Sequence, residues 1–290
     1  MNYEYQIAGL RVLLELPFSI SVQPSSQAFL SAPGGGQADV RFLCRPVPSL
    51  PQPPVDGHEE SNRCYAETAA ERQVFFRPSP TGAPYACVTW RAGEPRVLRC
   101  CYLAGEESRI NYSMKICDML GLESLLLQFR GMLLHCAFIR WQGQGILFSA
   151  DSGVGKSTQA ELWEQHRGAE TLNGDRAGLM KSGGVWTAYG LPYAGSSRVY
   201  RNASAPVSAV FMLEQAPVNQ VLPLSPAAAL RRLYQVTIHS WDTAYVQEIL
   251  PILEDFVTSV PVYLLRCRPD AGATEAALAA LRRKGIAENE

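Results

Sequence analysis

The segment Ala150-Asp151-Ser152-Gly153-Val154-Gly155-Lys156-Ser157-Thr158 carries the clearest chemical pattern in the chain. An apolar run, Ile146 to Phe148, precedes it, and a helical pattern from Thr158 to Gln165 follows. Glycines let successive backbone N–H groups turn inward around phosphate oxygens, and the start of the following helix adds positive potential. The segment therefore reads as a phosphate-binding P-loop in which Ala150 stands where the first glycine usually stands. Asp151, Ser152, Gly153, Val154, Gly155, Lys156, Ser157 and Thr158 are the expected ATP-binding residues. Lys156 would neutralise the β and γ phosphates, and the Ser157 hydroxyl would ligate magnesium.

A magnesium nucleotide site also needs a carboxylate near the metal, usually on a neighbouring strand. Asp175, in Leu172-Asn173-Gly174-Asp175-Arg176, is the first good candidate downstream, although an aspartate at a strand end is often only a turn former. His135 lies on the strand before the hairpin that leads into the loop, where a lone histidine serves structure more often than chemistry. Arg198 and Arg201, with Tyr193 and Tyr200, fall in an aperiodic stretch after Asp175. Two arginines near a γ-phosphate could stabilise developing charge or grip an acidic acceptor, or they could simply face solvent. Trp163 and Trp241 occupy helical positions and read as packing residues.

The elements that must hold these groups follow from periodicity. Up to about residue 110, short alternating segments (Tyr5 to Leu16, Val74 to Arg77, Tyr85 to Arg91) broken by Pro and Gly predict a small antiparallel β unit. Within it, residues 45–62 are rich in proline and predict an exposed loop. From Asn111 a helical pattern begins, with Met114, Cys117, Met119, Leu120 and Leu125 to Leu127 on one side, joining this unit to a nucleotide-binding domain over 111–290. Met132 to Trp141 and Ile146 to Phe148 form a hairpin through Gln142-Gly143-Gln144-Gly145. Short strands follow over Gly168 to Gly190, then a loop over Pro192 to Ser208 where a substrate would meet the protein. Strands are predicted at Val207 to Glu214, Gln220 to Leu224 and Val262 to Cys267. Helices are predicted at Ala227 to Val236 behind the cap Ser225-Pro226, at about Asp242 to Thr258 with a bend at Pro251, and from near Thr274 to Lys284 before Gly285.

Composition narrows the partners. The 290 residues carry 26 Lys and Arg against 27 Asp and Glu, a net charge of -1, and 47% are hydrophobic. That describes a soluble globular chain of one or two domains, without the field that would hold nucleic acid or an anionic membrane. No apolar run approaches the length of a membrane-spanning helix. The opening Met1-Asn2-Tyr3-Glu4 lacks the features of a secretory signal, so the cytoplasm is the expected location. The eight cysteines lack CxxC spacing and read as buried reduced thiols.

His135, the Gly143-Gln144-Gly145 turn, the strand Ile146 to Ser149 and the loop Ala150 to Ser157 follow one another as in the HPr kinase/phosphorylase catalytic domain, which this sequence resembles over roughly residues 130 to 225. The resemblance implies a mixed α/β architecture: a phosphoenolpyruvate carboxykinase-like P-loop kinase core beside the β-rich N-terminal domain. It implies catalytic roles for Lys156, Asp175, His135 and Arg201, and magnesium held by Ser157 and Asp175. The family's strand ending in Asp-Asp falls on Gly174-Asp175, so the first aspartate, implicated in moving the acceptor's proton, is absent. The chain looks closer to HPr kinase-like proteins associated with modified peptides than to the sugar-regulation enzyme. The expected activity is ATP- and magnesium-dependent transfer of a phosphoryl group to a hydroxyl of a protein or peptide, in a protein that would assemble as a homo-oligomer. The alternative is an ATP-sensing regulatory protein without fast chemistry.

Overall fold

The computed structural model describes residues 1–285 except 33, 35, 194, 196 and 240–244. The contacts divide the chain into two compact units, one chiefly Met1–Gln128 and the other Phe129–His239 with Val246–Glu290. The helical stretch after Asn111 thus clusters with the first unit, and the division falls after Gln128 rather than near 110.

In the first unit, β1 (Asn2–Ile7) and β2 (Leu10–Glu15) form a hairpin. Ala8 and Gly9 both have positive φ, 53° and 79°, as a tight turn matching strand twist requires. There follow α1 (Pro24–Gln27), β3 (Leu30–Ser31), β4 (Val40–Val47), β5 (His58–Glu60), β6 (Arg63–Glu67), β7 (Glu71–Phe76), β8 (Ala86–Arg91) and β9 (Glu94–Leu103). The sheet order is β3-β1-β2-β4-β9-β8-β7-β6-β5. Strands β5 to β9 form an antiparallel meander, but β4 lies parallel to both β2 and β9. The expected antiparallel unit is therefore a mixed sheet. The proline-rich loop is also shorter than expected, since β4 continues through Pro46 to Val47 and β5 forms within it. The single expected helix is two, α2 (Ser113–Met119) and α3 (Leu122–Leu127), separated at Gly121, whose φ is +57°.

In the second unit, β10 (Met132–Trp141) and β11 (Gln144–Ser149) pair across Gln142-Gly143, again with both φ values positive, 50° and 75°. Then come α4 (Lys156–Arg167), β12 (Glu170–Asn173), β13 (Arg176–Ser182), β14 (Val185–Tyr189), β15 (Ser204–Gln215), β16 (Gln220–Pro223), α5 (Pro226–Val236), α6 (Tyr245–Ser259), β17 (Val262–Cys267) and α7 (Ala271–Arg283). Two sheets share β10 and β15: a mixed one runs β12-β10-β11-β15-β17-β16, and an antiparallel one runs β10-β13-β14-β15. The circuit β10-β13-β14-β15-β11 consequently closes on itself. Because β15 begins at Ser204, the expected loop over 192–208 ends earlier. Helix α6 runs through Pro251, and Trp241 and Asp242 lie outside the described residues.

Helices α4 and α7 cover one face of the larger sheet, packing Trp163, Ala277 and Leu281 on Ile139, Phe148, Phe211 and Leu265. Trp163 is fully buried between Trp141 and Phe148, which fixes α4 against the hairpin that feeds it. Among the described residues no helix is long and apolar enough to cross a membrane.

Candidate functional site

The apolar strand β11 ends at Ser149 and α4 starts at Lys156, so residues 150–155 form a strand-to-helix loop. Gly153 and Gly155 have φ values of +81° and +122°, and a β-carbon at either would meet nothing within 4 Å. Backbone conformation, not crowding, is what requires glycine there. Lys156 is buried and donates from Nζ to the carbonyl oxygens of Ala150 and Asp151 at 3.0 and 3.2 Å. Burial lowers its pKa, while Cys136, Asp175 and Asp151 act in the opposite direction. Its ammonium is thus enclosed by the loop that would receive phosphate. Ser157 and Thr158 follow in the first turn of α4, and Asp151 and Ser152 are exposed at the mouth of the loop.

The hairpin carries His135 to this loop. Cys136 stands opposite Ser149, and Ser149 Oγ donates to the His135 carbonyl at 2.7 Å. On its other side His135 pairs with Arg176 at the start of β13. Burial lowers the His135 pKa, the Lys156 charge adds to this, and Asp175 opposes it. Burial thus favours the neutral imidazole, the form able to accept a proton.

Asp175 occupies the turn between β12 and β13, and its backbone carbonyl accepts from Cys136 N at 3.1 Å. The turn is built by Asn173, a fully buried residue that the sequence did not single out. Its Oδ1 accepts from the N–H groups of Asp175 and Arg176 at 2.9 and 3.0 Å, and its Nδ2 donates to Leu191 O and Tyr193 O at 2.9 and 2.8 Å. The only advance signal was Asn before Gly-Asp, the composition of a side-chain-capped turn. Arg176 was also missed: its Nε donates to Asp175 Oδ2 at 2.7 Å and its guanidinium lies 4.8 Å from the Tyr193 ring centre. Lys156, His135 and Asp175 are thus brought together, with Ser157 one residue beyond Lys156.

The structure engages Arg201 elsewhere. It pairs with Glu170 at 3.1 Å and donates to Thr171 O at 3.2 Å, at the beginning of β12, whereas Asp175 follows that strand's end. Contact with a γ-phosphate would require it to leave this pair. Arg198 is exposed, with φ of +56°.

At the carboxyl ends of the parallel strands β11, β15 and β17, a cleft of about 610 Å³ opens beside the loop, lined by Gly153, Val154, Thr158, Gln159, Gln215 and Arg268 among others. This is where ligands enter open α/β sheets. Gln159 is buried, donates to Cys267 Sγ at 3.4 Å, and leaves its Oε1 without a partner.

The family model described as "SynChlorMet cassette protein ScmC" matches residues 101–272, a span containing the loop, His135 and Asp175. The chain belongs to the ScmC family. No curated protein matches it. Among solved structures, the Hpr(Ser) kinase/phosphatase from Coxiella burnetii aligns with 53% of this ScmC-family chain and 92% of its own, at 11% identity and a TM-score of 0.31. In this ScmC member no group of three or more His, Cys, Asp or Glu among the described residues could cage a metal ion.

Proposed function

We propose that the chain is an ATP- and magnesium-dependent kinase that transfers the γ-phosphoryl group to a hydroxyl, expected to be a serine, of a protein or peptide, on a phosphoenolpyruvate carboxykinase-like core of the HPr kinase type. The observation that carries this reading is the enclosed Lys156 ammonium, in a strand–glycine loop–helix, with Asp175 and His135 within its field. Ser157 and Asp175 would hold magnesium, which supplies charge neutralisation at the transferred phosphate. The loop N–H groups and Lys156 bind and orient the phosphates, and the cleft beside Gln159 and Arg268 receives the nucleoside. Asp175 or His135 takes the acceptor's proton. Phosphoryl transfer depends mainly on positioning and charge, so a missing carboxylate at Gly174 need not abolish it. In this reading the protein works in the cytoplasm as a homo-oligomer and binds neither nucleic acid nor membrane.

The test is incubation with magnesium and γ-labelled ATP in lysate from the protein's own source, beside Lys156→Ala and Asp175→Ala. Label on one species with the unmutated protein alone supports the kinase and names its acceptor. A second reading, ATP sensing without fast chemistry, is favoured by one observation: Gly174 leaves Asp175 as the turn's carboxylate, and Asp175 is already paired with Arg176. ATP binding with no labelled species selects that reading, and no ATP binding rejects both.

A further inference from the structure

The place where a side chain at position 174 would project is occupied from within the chain. A β-carbon on Gly174 would stand 2.2 Å from Ser197 Oγ and 2.5 Å from Ser197 Cβ. Two residues earlier, Gly195 presses on the neighbouring carboxylate, since a β-carbon there would stand 2.9 Å from Asp175 Oδ1. The segment carrying both is anchored at each end. Asn173 Nδ2 holds the carbonyls of Leu191 and Tyr193, Asn173 bridges to Tyr200, and Arg201 N donates to Leu172 O at 3.0 Å. Within it, Ser197 Oγ accepts from Val199 N–H at 3.2 Å, which orients the hydroxyl. A serine hydroxyl is thus held against Gly174, one residue before Asp175, which is one of the two groups given the acceptor's proton in the proposed reaction.

We propose that Ser197 is an acceptor of the chain's own phosphoryl transfer, an intramolecular phosphorylation site; this rests on the kinase reading. Ser197 Oγ attacks the γ-phosphorus of ATP, forming the new O–P bond as the bond from γ-phosphorus to the β,γ-bridging oxygen breaks. The electron pair of that bond leaves with ADP, and the hydroxyl proton passes to the Asp175 carboxylate and on to solvent. The products are phosphoserine 197 and ADP.

The experiment incubates the full chain with magnesium and γ-labelled ATP without added acceptor, over a range of protein concentrations, and locates the label by fragment mass spectrometry. Ser197→Ala and the conservative Ser197→Thr are run in parallel, each checked for ATP binding and thermal stability. The expected result is one phosphate on Ser197, at a rate independent of protein concentration, lost in Ser197→Ala and retained on the hydroxyl of Ser197→Thr. Label on a different residue, a rate rising with protein concentration, or undiminished label in Ser197→Ala overturns the assignment. ATP binding and labelling of a lysate acceptor without label at Ser197 overturns this inference alone. Absence of ATP binding overturns it together with the kinase reading.

Discussion

Lys156 holds two neutral carbonyls, Ala150 O and Asp151 O, as its hydrogen-bond partners. A phosphate offers that ammonium shorter and stronger charge-assisted bonds, so the side chain is poised to exchange one set for the other. Lys156→Ala is expected to weaken ATP binding by about 1.5–3 kcal/mol, roughly 10- to 150-fold, in an equilibrium titration. Unchanged affinity would remove the loop from any phosphate-binding role. His135 makes a different prediction, because burial places its folded-state pKa below the ordinary 6.5. Between those two values the unfolded chain binds the proton more readily, so stability rises with pH there, is complete above about 6.5, and is lost as pH falls. His135→Gln should flatten that part of a melting profile, and an unaltered slope would mean the imidazole is not desolvated. Asn173→Ala strands two carbonyls and two N–H groups in the turn that carries Asp175. A loss of about 2–4 kcal/mol in denaturant unfolding is expected, with transfer activity falling further than stability. The placement of Lys156 and Ser157 at the start of a helix behind a glycine loop, of His135 on the preceding hairpin and of Asp175 in a turn was legible in the sequence, because local order and turn residues fix each of them. Asn173 and Arg176 were not, since a side chain that serves backbone groups or a neighbouring carboxylate leaves almost no spacing signature.

At the scale of elements, glycines in the second unit do two different jobs, and substitution separates them. Gly155→Ala meets backbone strain in open space, about 1–2 kcal/mol, because φ there is +122°. ATP affinity should fall, and the melting temperature should drop by no more than the several degrees that this strain accounts for. Gly190 instead lies under a backbone atom, and its β-carbon would stand 2.1 Å from Arg201 O. Gly190→Ala should therefore destabilise the fold itself in the same melt. Supplying the absent carboxylate by Gly174→Asp is expected to displace Ser197, at an overpacking cost of about 1–3 kcal/mol. The paired change with Ser197→Gly should recover most of that cost, and simple additivity of the two would mean the residues do not touch. The hairpin β10–β11, helix α4, strand β17 and the cap at Ser225 were readable because each is fixed by local periodicity or turn residues. The parallel pairing of β4 with β2 and β9 was not, because its partners are remote in sequence and alternation looks the same in either direction. Gly121 splitting the expected helix was overlooked for a related reason: an isolated glycine in a helical pattern is ambiguous until its φ is known.

At the scale of the molecule, each unit has its own sheet, and the eight cysteines are all free thiols. A ligand binding the folded state at about 100 times its Kd adds about 2.7 kcal/mol. Hydrogen exchange with ATP present should therefore slow within Phe129–His239 and Val246–Glu290 and leave Met1–Gln128 near its baseline. Equal slowing in both would show that they unfold as one. The circuit β10-β13-β14-β15-β11 returns to its starting strand, so no member can slip register without disrupting its neighbours around the ring. The glycine loop after Ser149 hangs from β11 and the Asp175 turn from β13, and both inherit that frame. The segment between β14 and β15 leaves the frame after Tyr189 and rejoins it at Ser204, so over evolutionary time it can be exchanged as an insert. On the kinase reading, descendants of such a gene could meet new hydroxyls by rewriting a dozen or so residues while inheriting the proposed nucleotide grip unaltered.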